Sequence, residues 1–320
     1  MSRLSANLLL LLAGAVWGMG FVAQSSAMSD LGPWSYTAGR FLLAALTLLP
    51  FAIWEGRRAP RRLSGSELGG FAAIGVMLFL GSMLQQVGIL HTTVTNSGFL
   101  TGLYVVLTPI FGFLVLRSVP HWVIWPAAAL ALFGILLTGG GSLARIGVGD
   151  GLTIAAAAGF ALQILLIGRF VASSGRPLTL SCLQFATVSL LAAVGMVALE
   201  SPTLVQFQAV WPQTVYGGVV SAGFAFTLQI LAQRYTTAPQ AAIFLSSEAL
   251  FAALFGALLL GERIPPIGFL GCALIFAAMI AVEIVPQMGR RGGPSSRHAA
   301  ASAEATGLEA SAFPNQRPSP

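Results

Sequence analysis

The chain has 320 residues, 56% of them hydrophobic and only 8% charged, against about 25% charged in an ordinary soluble domain. So few charges cannot cover the surface of a soluble fold, which excludes a soluble globular protein, a disordered chain and a nucleic-acid module. The net charge of +6 does not imply a nucleic-acid partner, because the basic residues, all arginine, sit mostly between apolar segments, where they report topology.

A helix needs about 20 apolar residues to cross a bilayer. In chain order, ten segments qualify: 7–27, 34–54, 67–90, 95–116, 121–139, 151–171, 177–199, 211–232, 239–260 and 265–285. Each is expected to be helical, since lipid offers no partner to an open backbone. Arg3, the apolar run from Leu8 and the small residues near Ala23 imitate a signal peptide. The spans that follow, and Trp17-Gly18 inside the run, favour an uncleaved first helix. With the N-terminus inside, the inner loops and both termini hold 13 arginines, and the outer loops hold only Arg145 and Arg263. This positive-inside bias fixes both termini in the cytoplasm. From Pro286 onward Gly, Pro, Ser, Ala and Arg dominate, so 286–320 is expected to be a disordered cytoplasmic tail. Cys182 and Cys272 lie in separate spans nearer opposite leaflets, which suits neither a bridge nor a metal site.

A gapless offset of 144 residues relates the two halves. Pro33 meets Pro177, Phe41 meets Phe185, Leu84-Gln85 meets Leu228-Gln229, Thr92-Thr93 meets Thr236-Thr237 and Phe111-Gly112 meets Phe255-Gly256. The offset pairs the first span with the sixth, giving units at 1–146 and 147–285. Five spans per unit is an odd number, so the units insert with opposite orientation. The expected fold is an all-α membrane protein of ten transmembrane helices in two inverted five-helix repeats, a recurring plan of secondary transporters that bind substrate between the halves.

Several stretches carry a family likeness: Ala15-Val16-Trp17-Gly18-Met19-Gly20-Phe21, Gly39-Arg40-Phe41, and the run from Leu84-Gln85-Gln86 through Tyr104 to Thr108-Pro109. Glu248-Ala249-Leu250-Phe251 through Phe255-Gly256, followed by Gly261-Glu262-Arg263, completes them. In order and spacing the chain resembles the ten-helix EamA-type branch of the drug/metabolite transporter superfamily over residues 7–285. It departs from that pattern at Ala249, where a proline is common, and at Ser118, where an acid is common. The resemblance implies transport of small metabolites such as amino acids, often by export.

Ionisable residues within spans are costly and are therefore functional candidates. Glu248 lies nine residues into its span from the inside, about 13 Å deep. Arg40 lies six residues into its span from the outside, about 9–10 Å deep. Their heights differ by about 7 Å in a core of about 30 Å, so the two could form a structural or gating ion pair if their helices adjoin, and Glu248 could equally be a structural partner of Ser246 and Ser247. Glu248 could instead carry a coupling proton or bind a substrate amine. Arg40 could clamp a substrate carboxylate in a bidentate fork or snorkel to the outer interface. The amides Gln85, Gln86, Gln163 and Gln229 could line a cavity or glue helices together, as could Gln233. Trp17 and Tyr104 are the aromatics expected towards the cavity, with helix packing as the alternative for Trp17. Thr93 and Thr237 are expected as helix caps. Gly14 and Gly18 have the spacing of close helix packing. Pro109 removes a backbone hydrogen bond and could act as a gate hinge or a simple bend.

No catalytic constellation, metal motif or P-loop is present, so no enzyme activity, metal or cofactor is expected. The partners are a small-molecule substrate and the lipid bilayer. A coupling proton and a homodimeric partner stay open. The function expected is secondary transport of small organic metabolites by alternating access, in the export direction, across a bacterial inner (plasma) membrane. A non-transporting receptor or assembly protein is the alternative.

Overall fold

The computed structural model describes residues 1–138, 147–261, 263 and 266–291. Arg145, Glu262 and the expected tail beyond 291 lie outside the described residues. The chain runs through α1 (Arg3–Ala27), α2 (Pro33–Arg58), α3 (Gly65–Gly88), α4 (Val94–Thr101) and α5 (Tyr104–Leu116). Then follow α6 (Ile124–Thr138), α7 (Val148–Ser174), α8 (Pro177–Leu199), α9 (Leu204–Ala209) and α10 (Trp211–Val215). A π-helical stretch, Tyr216–Phe226, leads into α11 (Thr227–Gln233), α12 (Ala238–Leu245), α13 (Glu248–Leu260) and α14 (Pro266–Arg291).

Joined end to end, α4–α5, α10–π–α11 and α12–α13 are single crossings. Among the described residues nine crossings are long and apolar enough to span a membrane, and α6 supplies a shorter apolar helix over Ile124–Leu137. The last helix continues through Pro286 to Arg291, past the point where the tail was expected to begin. A proline forfeits one backbone bond, which did not end this helix.

Local chemistry sets the helix ends. The Ser64 hydroxyl accepts from the Glu67 N–H, and the Glu67 carboxylate accepts from the Ser64 N–H, a reciprocal cap. Thr93 and Thr237 cap α4 and α12 by accepting from Asn96 and Gln240 N–H, at the offset-related threonine pairs.

The packing is two-fold. The helix α2 lies along α8 and α6 along α14, each against its own repeat mate. The α3–α7 pair reappears as α1 against α10–π–α11, and α1–α13 reappears as α7 against α4–α5. Exchanging the halves reproduces the set, as an inverted repeat requires. Two carboxylates fasten the α2–α8 pair at opposite ends. Glu200, after α8, accepts from Trp34 and Ser35 N–H at 3.1 and 2.8 Å. Glu55, on α2, accepts from Leu178 and Thr179 N–H at 3.1 and 2.7 Å. Each satisfies N–H groups that the first turn of the other helix leaves open. Large apolar residues such as Leu46, Leu114, Leu190, Leu258 and Phe269 remain exposed, as lipid-facing positions should.

Candidate functional site

The halves enclose a cavity lined from both repeats. Trp17, Phe21 and Gln24 come from α1, Arg40 from α2, and Ser82 and Gln85 from α3. Thr101 and Tyr104 come from α4–α5, and Phe160, Gln163 and Ile164 from α7. Ser221, Phe226, Gln229 and Glu248 complete the wall. The space between these atoms is about 500 Å³, yet only about 40 Å³ of it admits the centre of a water molecule. That is room for about three waters, so any larger ligand requires the helices to part.

Two lining residues occupy equivalent places. Tyr104 is the first residue of α5 and Glu248 the first of α13, and the 144-residue offset relates them. At both points the crossing tightens by one turn. Leu103 N–H bonds Leu100 C=O and Val105 N–H bonds Gly102 C=O, while Ser247 N–H bonds Phe244 C=O and Ala249 N–H bonds Ser246 C=O. These three-residue steps interrupt the helix and turn the next side chain into the cavity. Gly14 makes the Glu248 position possible. A Cβ there would lie 2.3 Å from Ser247 Oγ and 3.2 Å from the Glu248 nitrogen, so α1 approaches this turn backbone to backbone. Gly18 likewise leaves 2.3 Å to Phe251 Cβ. Glu248 is 4% exposed, and its Oε1 has no hydrogen-bond partner among the described residues. The Tyr104 hydroxyl, in the same wall, also has no hydrogen-bond partner among the described residues.

Arg40 is 5% exposed. Its guanidinium lies 4.7 Å from the Phe41 ring centroid and 5.4 Å from that of Tyr36. Gly217 and Gly218 of the π-helical stretch pack on its stem and carbonyl. Its Nε has no hydrogen-bond partner among the described residues. Among the described residues the one salt bridge is Arg61–Glu67, so the ion pair expected between Arg40 and Glu248 is not formed. Both face the same cavity, but α2 holds the arginine head over its own aromatic neighbours. The rise per residue sets the height of each group, but the direction in which its side chain points depends on the neighbouring helices.

The amides form a chain. Gln229 donates to Gln163 at 3.4 Å, and Gln163 donates to Gln184 at 3.3 Å. Gln85 donates to Thr101 Oγ1 at 2.9 Å. Gln86 points elsewhere: it donates to the Gln24 carbonyl at 3.5 Å and is absent from the lining. Gln233 is also outside, donating to the Ile164 carbonyl. Trp17 donates its indole N–H to the Ser221 carbonyl at 3.0 Å and sits 4.4 Å from Phe226. Pro109 is buried in α5 beyond the interruption and does not line the cavity. The matching interruption stands beside Ala253, so the break does not need a proline. Among the described residues no cluster of three His, Cys, Asp or Glu could hold a metal.

Several wall residues gave no signal in the sequence. Phe21, Phe160 and Phe226 are ordinary apolar residues of apolar spans. The π-helical stretch widens the eighth crossing where Ser221 and Phe226 enter the cavity. Its glycines, Gly217, Gly218 and Gly223, are the trace it leaves in the sequence.

Comparison with known proteins follows the same outline. The model of the EamA-like transporter family matches twice, at residues 4–140 and 147–283. A relative from Archaeoglobus fulgidus, described as an uncharacterized transporter, is 32% identical over 286 residues, 88% of this chain and 87% of the relative. A solved crystal structure shares the fold with a TM-score of 0.71 at 16% identity, covering 89% of this chain and 99% of that one.

Proposed function

The chain belongs to the EamA-like transporter family, and from that premise we propose that it is a secondary transporter of small zwitterionic metabolites, amino acids or close relatives. One observation carries the proposal. A single cavity between the halves holds a buried cation, Arg40, and a buried acid, Glu248, which do not neutralise each other. Leaving both groups unpaired is costly, and a ligand bearing both charges would relieve both. Arg40 takes the carboxylate, where its planar fork gives bidentate hydrogen bonds. Glu248 takes the ammonium. The amide chain and the Trp17–Phe226 pair hold the rest.

Glu248 also suits a coupling proton. Ionised, it binds the substrate ammonium; protonated, it does not, so proton and substrate exclude each other. The tight cavity supports a mechanism in which the helices part on one side at a time, the alternating access we propose. Export across the plasma membrane, with both termini cytoplasmic, is the proposed orientation. No chemical step is proposed.

The test is uptake and efflux in proteoliposomes with labelled amino acids, nucleosides and cationic drugs, with and without an imposed pH gradient. Amino acids are expected to move, with Glu248→Gln abolishing gradient dependence. Transport of nucleosides or cationic drugs alone would overturn the substrate class. Equal, gradient-independent rates in wild type and Glu248→Gln would overturn the role of Glu248.

A further inference from the structure

A second charged pocket lies at the other end of α2, where that helix stops and the chain turns from α7 into α8. Trp54, Glu55, Arg58, Arg61, Gly175 and Arg176 form it, around about 450 Å³ that admits the centre of a water molecule. The left-handed Gly175, φ 65°, ends α7, and Pro177 starts α8 one residue beyond Arg176. Arg176 is therefore pinned between two helix ends and is only 9% exposed. It donates to the Arg61 carbonyl and passes beside Gly56, where a Cβ would be 3.9 Å from Nη1.

The charges in this pocket do not balance. Arg61 is held bidentately by Glu67, at 2.8 and 2.7 Å, so its charge is matched. Both Glu55 oxygens are taken by the start of α8. Among the described residues neither Arg176 nor Arg58 pairs with a carboxylate, and the Arg58 guanidinium rests 4.4 Å from the Trp54 ring. Directly beyond them on α2, Phe51, Ile53 and Trp54 are about half exposed, at 53%, 46% and 51%. A cationic pocket joined to an apolar helix face fits a phosphate that carries acyl chains better than it fits a soluble anion.

The repeat supplies a control. At the opposite end of the α2–α8 pair the Glu200 clasp recurs, but Gly32 stands where Arg176 does, Pro202 where Arg58 does and Val205 where Arg61 does. The fold builds the clasp twice and the arginines once, so the clasp itself does not require them. We infer that the pocket binds the phosphate of an anionic phospholipid. Arg58 and Arg176 hold the headgroup, and Phe51, Ile53 and Trp54 cover the first acyl segments.

The experiment uses the full chain in phosphatidylcholine nanodiscs with spin-labelled phosphatidylglycerol as probe, and reads its association relative to spin-labelled phosphatidylcholine. Wild type is expected to prefer the anionic probe. Arg58→Gln, which removes only a ring contact, lowers that preference about fivefold, and Arg176→Gln lowers it as much if that variant folds. Arg234→Gln, on another loop predicted to face the cytoplasm, leaves it unchanged. An equal loss in Arg234→Gln would reduce the effect to diffuse surface charge and overturn the proposal. Displacement of the probe by millimolar inorganic phosphate would overturn the lipid assignment in favour of a soluble anion.

Discussion

The two interrupted crossings share a backbone and differ in chemistry. At α4–α5 and at α12–α13 the helix tightens by the same three-residue steps, yet the residue delivered to the cavity is Tyr104 in one half and Glu248 in the other. Arg40 and its mate Gln184 differ in the same way, a cation in one half and an amide in the other. The repeat keeps what the backbone must do and varies what the side chains must recognise, so a symmetric scaffold encloses an electrically asymmetric site. Making the site symmetric should therefore destroy recognition and spare the fold.

Glu248→Gln, which removes the acid that one half alone delivers, is expected to have the largest effect. In the proposed binding mode it removes one charge-assisted contact to the substrate ammonium, worth about 1.5–3 kcal/mol, so substrate affinity should fall about 10- to 100-fold in a scintillation-proximity binding assay. The double variant Tyr104→Glu with Glu248→Tyr, which moves the acid to the mate position, should not restore affinity, because Arg40 has no mate cation opposite. Recovery of binding would show that the acid's position is immaterial. Arg40→Gln copies Gln184 and should weaken carboxylate-bearing substrates about tenfold while leaving amines without a carboxylate nearly unaffected. Equal losses for both classes would make Arg40 a packing residue.

The clasps are the opposite case, a device both halves retain. Glu55 and Glu200 each cap the other half's helix with two backbone bonds. Loss of a helix cap costs about 0.5–2 kcal/mol, so Glu55→Ala and Glu200→Ala should each lower the melting temperature in detergent by a similar amount. A loss confined to one of them would show that the two ends of the α2–α8 pair are not equivalent. Transport offers a second readout: if motion opens one end at a time, each substitution should bias substrate access towards the face it loosens.

How much of this was legible in the sequence depends on the scale of the feature. The crossings were, because a 20-residue apolar run has one solution in lipid. The repeat was, because polar and proline positions share one offset. The clasp donors Trp34, Ser35, Leu178 and Thr179 obey that offset, but the acceptors do not. Glu55 lies inside α2, whereas Glu200 follows the last residue of α8, one position out of register. A gapless comparison passes over them. Within the site, heights could be derived from the rise per residue, but directions could not. Gln85 and Gln86 are neighbours in sequence; one meets the cavity and the other the Gln24 carbonyl. A difference of 100° around the helix axis, invisible without the neighbouring helices, decides that.

The smallest expected effect tests the same comparison at the ends of α5 and α13. Both helices stop on a left-handed residue whose N–H bonds a carbonyl five residues back, Arg117 to Gly112 at φ 51° and Gly261 to Gly256 at φ 70°. The offset makes them mates, so one geometry is met by glycine in one half and by arginine in the other. Glycine adopts this conformation freely, whereas a residue with a Cβ pays about 1–2 kcal/mol. Glycine in turn loses more freedom on folding, by about 0.5–1 kcal/mol. Arg117→Gly should therefore raise stability, by no more than about 1.5 kcal/mol, read as a small rise in melting temperature. Gly261→Arg should lower it by a comparable amount and place a further arginine on the arginine-poor side, against the topology bias. That second cost explains the asymmetry. An arginine is tolerated in the strained position where its charge supports insertion, and glycine is kept where an arginine would oppose it. If Arg117→Gly proves destabilising, the side chain itself anchors that end of α5, and its contribution exceeds the backbone strain it imposes.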